Sequence, residues 1–218
     1  MPNAEYIRIY SECWKRELDQ GTCPVIVIHP SLARGANDYD IVAQFLVEAG
    51  YRVVRPQPRG IGKSTGPMDK LTIHDFAADV AMVLDHIKCG PAVIVGHAWG
   101  SMPARMLAAD RPDLVRGVIM AAASAGKLPP GSTEKPFSRL RKEIDGSGDM
   151  TIPESKRLEY FYSRCSGAEY DAVVVKDVMK QYLGDRVEVQ IIKNAGHALA
   201  PEQPEAMANA VIDFNKKL

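Results

Sequence analysis

One run constrains this chain more than any other: Ala92-Val93-Ile94-Val95-Gly96-His97-Ala98-Trp99-Gly100-Ser101. Ala92 to Val95 is continuous, apolar and β-branched, the pattern of a strand buried on both faces of a parallel sheet. Gly96 and Gly100 flank a sharp turn, where a Cβ would keep strand and helix apart. Met102, Met106 and Leu107 then follow at helical spacing, with Pro103 in the first turn, where its missing N–H costs nothing. Arg111-Pro112 ends the helix. A buried strand turning directly into a helix requires a sheet with a helical layer over it.

The flanking segments repeat that alternation. Tyr6 to Tyr10 and, more weakly, Cys13 to Leu18 read as strands, with a turn at Asp19-Gln20-Gly21. Val25 to Ile28 is a buried strand ending at His29-Pro30-Ser31. Asp38 to Ala49 is predicted as an amphipathic helix with Ile41, Val42, Phe45 and Leu46 inward, stopped by Gly50. Tyr51 to Arg55 is the next strand. Thr72-Ile73-His74-Asp75 is a capping-box variant opening a helix to Ile87, with Phe76, Val80, Val83, Leu84 and Ile87 on one face. Gly117 to Ala122 is a further strand. This order predicts an α/β fold, a doubly wound and mostly parallel sheet flanked by helices.

The second half carries different signals. Pro129-Pro130-Gly131 and Asp145-Gly146-Ser147-Gly148 are loop chemistry. Thr151-Ile152-Pro153-Glu154 reads as a capping box, and Leu158, Phe161, Tyr162 and Cys165 follow at helical spacing. The alternative is a strand over Leu158 to Arg164. Val175, Val178, Met179 and Tyr182 suggest another helix, closed by Gly184. Val187 to Ile192 reads as the last strand, Asn194 to His197 as a turn, and Glu202 to Asn215 as a terminal helix.

Composition excludes several functions. Basic and acidic residues balance at 27 each, so no bulk field draws the chain to nucleic acid or an anionic membrane. No apolar run is long enough to span a bilayer, and Met1-Pro2-Asn3-Ala4-Glu5 lacks the features of a signal peptide. Cys13, Cys23, Cys89 and Cys165 show no C-x-x-C spacing, which suits reduced thiols in a cytoplasmic protein. No cofactor is expected. Gly62-Lys63-Ser64 invites a phosphate-loop reading, but Gln57 stands where that motif needs glycine. His86 and Cys89 share a ligand spacing on a helix without further ligands nearby, so no metal site is expected.

Four motifs, in order, resemble the α/β-hydrolase fold superfamily. Gly96-His97-Ala98-Trp99-Gly100 is similar to the nucleophile elbow, G-x-S-x-G. His29-Pro30 stands where the family has His-Gly. Arg59-Gly60-Ile61-Gly62-Lys63-Ser64 matches its R-G-x-G-x-S loop. Ala195-Gly196-His197, followed by Pro201-Glu202-Gln203-Pro204, matches the segment with the catalytic histidine. The resemblance implies one domain over residues 1–218, with a short helical lid around 127–167. It also implies His197 as general base, an oxyanion site from the Trp99 amide and that of Ser31 or Leu32, and a pocket shaped by His29, Pro30 and His97. Ser31 could add its hydroxyl, while Ser101, just inside the helix, reads as structural.

The chain departs from the pattern in three ways. Ala98 stands at the nucleophile position, and a methyl group has no lone pair for covalent catalysis. The lid is reduced. The seventh strand and its acid are not recognisable; spacing to His197 points to Glu169 or Asp171. The expectation is an enzyme for a small apolar carbonyl or ester-like compound, acting by acid–base and oxyanion chemistry. The alternatives are a serine hydrolase inactivated by Ala98 and a pseudoenzyme that binds a ligand.

Overall fold

The computed structural model describes residues 11–14, 23–123, 149–157, 159 and 184–218. The chain divides into two compact units, Met1–Ala123 with Pro204–Leu218, and Ser124–Gln203. The first holds the sheet. Its strands are β1 (Ser11–Trp14), β2 (Val25–His29), β3 (Arg52–Pro56), β4 (Ala92–His97) and β5 (Val115–Ala121). They lie in the order β1-β3-β2-β4-β5. β1 is antiparallel to β3, and the other neighbours are parallel. The expected α/β class is therefore observed. β2 and β4 are central and buried along their whole length, which is why they lack alternation.

Helices pack in two pairs. α2 (Ile73–Ile87) and α3 (Ser101–Asp110) contact each other, as do α1 (Asp40–Glu48) and α5 (Pro204–Asn215). Val80 and Leu84 of α2 and Leu107 of α3 share a core with Val27, Val54 and Ile94 of the sheet. The capping box at the start of α2 is formed: the Thr72 N–H donates to Asp75 Oδ2 at 2.8 Å. Phe76 and Ile87 are partly buried rather than fully covered.

In α1, Val42 and Leu46 point inward as expected, but Ile41 is 55% exposed. A 3-10 turn over Ala36–Tyr39 precedes the helix and buries Tyr39. With Tyr39, Val42, Ala43 and Leu46 on the core side, Ile41 is turned about 100° away. The predicted strand over Tyr6 to Tyr10 lies outside the described residues. Of Cys13 to Leu18, only Cys13 and Trp14 are described, and both are in β1.

In the second unit, residues 154–157 and 159 are helical, but the start differs from the predicted capping box. The Thr151 hydroxyl donates to Asp149 Oδ1 at 2.6 Å, and the N–H groups of Lys156 and Arg157 bond to the Pro153 carbonyl. Pro153 therefore supplies the first helical acceptor. The predicted helix from Val175 to Tyr182 lies outside the described residues, as do Phe161, Tyr162 and Cys165. Val187 to Ile192 is not a strand: it takes no regular structure, and Ile191 is 66% exposed. Alternation favours a strand only where a ladder partner and a covering face exist. The predicted terminal helix is observed as α5, which starts at Pro204 rather than Glu202 and ends at Asn215 as expected; a short helix, α4 (Leu199–Glu202), precedes it. Pro204 drives Gln203 out of the helical region, to φ −138°. Among the described residues, no helix is long and apolar enough to cross a membrane.

Candidate functional site

The site grows from the end of β4. Ala98 has φ +50°, the left-handed conformation that a non-glycine residue adopts at a cost of roughly 1–2 kcal/mol. A 3-10 turn over Ala98–Gly100 leads straight into α3. Two glycines make this turn fit. A Cβ on Gly96 would lie 2.5 Å from the Gly100 carbonyl oxygen, and one on Gly100 would lie 2.4 Å from that of Pro30. The β4–α3 turn is thereby pressed against the loop that follows β2, in line with the parallel register of His29 opposite Gly96.

Around the turn stand rings and one hydrogen-bonded chain. His29 is 2% exposed, and its Nδ1 lies 3.3 Å from the Pro30 carbonyl oxygen. Burial pushes its pKa down to about 4, so the ring is neutral at pH 7. It sits 5.7 Å from the Trp99 ring, and Trp99 meets Phe76 edge to face at 4.9 Å. The chain joins three residues: the Ser31 N–H donates to the Tyr39 hydroxyl at 3.3 Å, and that hydroxyl lies 2.6 Å from His97 Nδ1. Tyr39 and His97 are both buried. Burial raises the phenol's pKa well above its ordinary value, so it stays protonated.

The structure thus brings His29, Pro30, Ser31, His97, Ala98 and Trp99 together in the first unit. Pro30 is buried and has no N–H to offer. The Leu32 side chain, 50% exposed, faces solvent, and Ser101 is buried as the first residue of α3. His197 belongs to the second unit. There the Gly196 N–H donates to the Glu202 carboxylate, and the Gln203 amide donates to the Asn194 carbonyl at 3.1 Å. The loop before His197 is thus tied to α4 and the residue after it. Glu169 and Asp171 lie outside the described residues. Tyr39 was not singled out by the sequence. The signal available was an aromatic alone in the polar run Arg34-Gly35-Ala36-Asn37-Asp38-Tyr39-Asp40, which must bury its ring somewhere.

The Arg59 to Ser64 loop holds itself together. Arg59 grips Asp79 through Nε at 3.0 Å and Nη2 at 2.6 Å, and donates through Nη1 to the Pro67 carbonyl at 3.1 Å. The Ser64 hydroxyl donates to the Gln57 carbonyl at 2.8 Å, and the Gln57 side chain accepts the Ala36 N–H at 2.7 Å. Among the described residues, no three His, Cys, Asp or Glu side chains converge on a metal position.

Comparison with known proteins agrees with this architecture. Residues 24–158 match the alpha/beta hydrolase fold family. The mitochondrial palmitoyl-protein thioesterase ABHD10 of Mus musculus is 28% identical over 180 residues, 80% of this chain and 57% of that protein. Epoxide hydrolase A of Mycobacterium tuberculosis is 31% identical over 119 residues, 52% of this chain and 37% of that protein. The chain spans about half the length of the curated relatives it matches. Among solved structures, the epoxide hydrolase CorEH aligns with TM-score 0.69 at 18% identity, covering 97% of this chain and 95% of that one. A thermophilic esterase from Thermogutta terrifontis aligns with TM-score 0.66 at 19% identity, covering 97% and 94%. At such identities the likeness concerns the fold. The family match extends over more than half of the sequence and coincides with the parallel sheet and its crossover helices: the chain belongs to the α/β-hydrolase fold family.

Proposed function

We propose that this chain is an enzyme without a covalent nucleophile, acting on a small apolar carbonyl or ester-like compound by general acid–base catalysis and oxyanion stabilisation. The observation that carries this reading is Ala98 at φ +50° between Gly96 and Gly100. A strained residue on a strand-to-helix turn is the mark of a nucleophile elbow, yet the side chain it bears is a methyl group. The Trp99 amide, at the start of the helical turn, is the proposed oxyanion donor. Trp99 and Phe76, both partly exposed, favour an apolar substrate. His197, assigned by its motif, takes a proton either from the substrate carbon next to the carbonyl or from water. In the first case the carbon's electron pair delocalises onto the carbonyl oxygen as an enolate. In the second the water oxygen bonds to the carbonyl carbon as the C=O π pair moves onto the carbonyl oxygen. Glu169 or Asp171 is the proposed acid partner of His197, and residues around 127–167 the proposed lid of a single domain. The related palmitoyl-protein thioesterases, epoxide hydrolases and esterases support an electrophilic carbon as the point of attack.

The test is turnover of a panel of short p-nitrophenyl esters and 3-keto acids by the full chain. Activity on one class should fall by about 100-fold or more in His197→Ala, with an unchanged circular dichroism spectrum. Turnover indifferent to His197→Ala would overturn the reading. The intact turn also supports a second reading, a serine hydrolase silenced at Ala98. In that case Ala98→Ser would gain esterase activity by several orders of magnitude, since nucleophile and base act as a unit. The unrecognised acid-bearing strand weighs against it, so little gain is expected.

A further inference from the structure

We infer that Tyr39 is a positioning residue that holds the Ser31 amide for itself, so that this amide is withheld from the proposed anion site beside Trp99. This deepens the functional reading above and rests on it. The family resemblance implies two candidate donors flanking Ala98, the amide of Trp99 and that of Ser31 or Leu32. The Ser31 N–H, however, already donates to the Tyr39 hydroxyl at 3.3 Å. The phenol oxygen accepts that hydrogen, so its own proton must find an acceptor elsewhere. His97 Nδ1, 2.6 Å away, is placed to take it, which leaves the imidazole neutral with its hydrogen on Nε2. The ring of Tyr39 is 1% exposed, so water does not compete for the hydroxyl. Tyr39 thus ties the loop after β2 to the residue immediately before Ala98, and it fills with a protein oxygen the place a ligand oxygen would take on the Ser31 amide.

The two distances set the size of the effect. The bond to His97 is short at 2.6 Å, and the bond from Ser31, at 3.3 Å, is slightly longer than the usual N–H···O range. The phenol is committed to His97 first and holds the Ser31 amide loosely. Removing the hydroxyl should release that amide to an anionic ligand, with a gain of about three- to tenfold in affinity, the worth of one modest hydrogen bond.

The experiment is a titration of the 15N-labelled full chain with sodium butyrate, against sodium chloride at equal ionic strength, following the Trp99 and Ser31 amides. In the unmodified protein the Trp99 amide should shift and that of Ser31 should not. In Tyr39→Phe both should shift, with Kd lowered by about three- to tenfold. Ser31 and Trp99 shifting together in the unmodified protein would overturn the role given to Tyr39 and leave the anion site standing. An unchanged or raised Kd in a folded Tyr39→Phe would do the same. No response at Trp99 in either protein would overturn the anion site and this inference with it. The arm on the unmodified protein decides the question even where Tyr39→Phe does not fold.

Discussion

Two stretches of this chain match family motifs equally well, yet they are held in opposite ways. The Arg59 to Ser64 loop is fixed by side chains: Arg59 on Asp79 and the Pro67 carbonyl, Ser64 on the Gln57 carbonyl. The β4–α3 turn is fixed by absent side chains, since Gly96 and Gly100 let backbones meet where a Cβ would lie within 2.5 Å of other atoms. A change in the loop breaks bonds. A change at position 98 leaves the glycine contacts untouched. The glycine contacts therefore hold the shape of the turn with a methyl group as its central side chain.

That contrast can be broken first at the glycines. Gly100→Ala drives a Cβ against the Pro30 and His29 carbonyl oxygens, both backbone atoms that cannot swing aside. The expected loss is about 5 kcal/mol or more, read as no cooperative urea transition. The loop should follow closely. Asp79→Ala leaves the Arg59 guanidinium, 5% exposed, without its carboxylate, at a cost of about 3–5 kcal/mol. A measured loss under about 1 kcal/mol, the level of a surface pair, would erase the distinction between the two stretches.

A third test uses pH. His29 has an ordinary pKa of 6.5 when unfolded and about 4 when buried. Below pH 6.5 the unfolded chain binds a proton that the native chain refuses. Stability should therefore fall as pH drops from about 6.5 to 4, by about 3 kcal/mol in all, with no further contribution above or below that window. The difference in pH-dependent stability between the unmodified protein and His29→Asn isolates this share from the carboxylates. The smallest effect belongs to position 98 itself. Ala98→Gly relieves the left-handed strain but adds backbone freedom to the unfolded chain, for a net gain of about 0.5–1 kcal/mol. A loss of stability would show that the methyl group packs, rather than merely filling the turn.

Much of this was legible in the sequence because it rests on local rules. Continuous apolar runs marked β2 and β4, Thr72 and Asp75 marked the start of α2, and Gly96 and Gly100 marked the turn. What escaped depends on contacts distant in sequence. Arg59 and Asp79 are 20 residues apart, and no periodicity links them. Tyr39 and His97 are 58 apart, and Tyr39 sits in a polar run whose 3-10 turn buries it. That same turn sets the phase of α1 and turns Ile41 outward. Val187 to Ile192 alternates well enough for a strand, but alternation cannot supply a ladder. Of the proposed site, the residues flanking Ala98 could be named from motifs alone. Tyr39, which ties them together, could not.

The central claim is that this protein carries no working nucleophile at the β4–α3 turn. It is tested most directly by incubating the full chain with a serine-directed fluorophosphonate and measuring intact mass. The expected result is an unmodified mass, because Ala98 offers no oxygen and Ser101 is 1% exposed. Stoichiometric labelling would contradict the claim, and a label mapped to Ser31 or Ser101 would identify a displaced nucleophile.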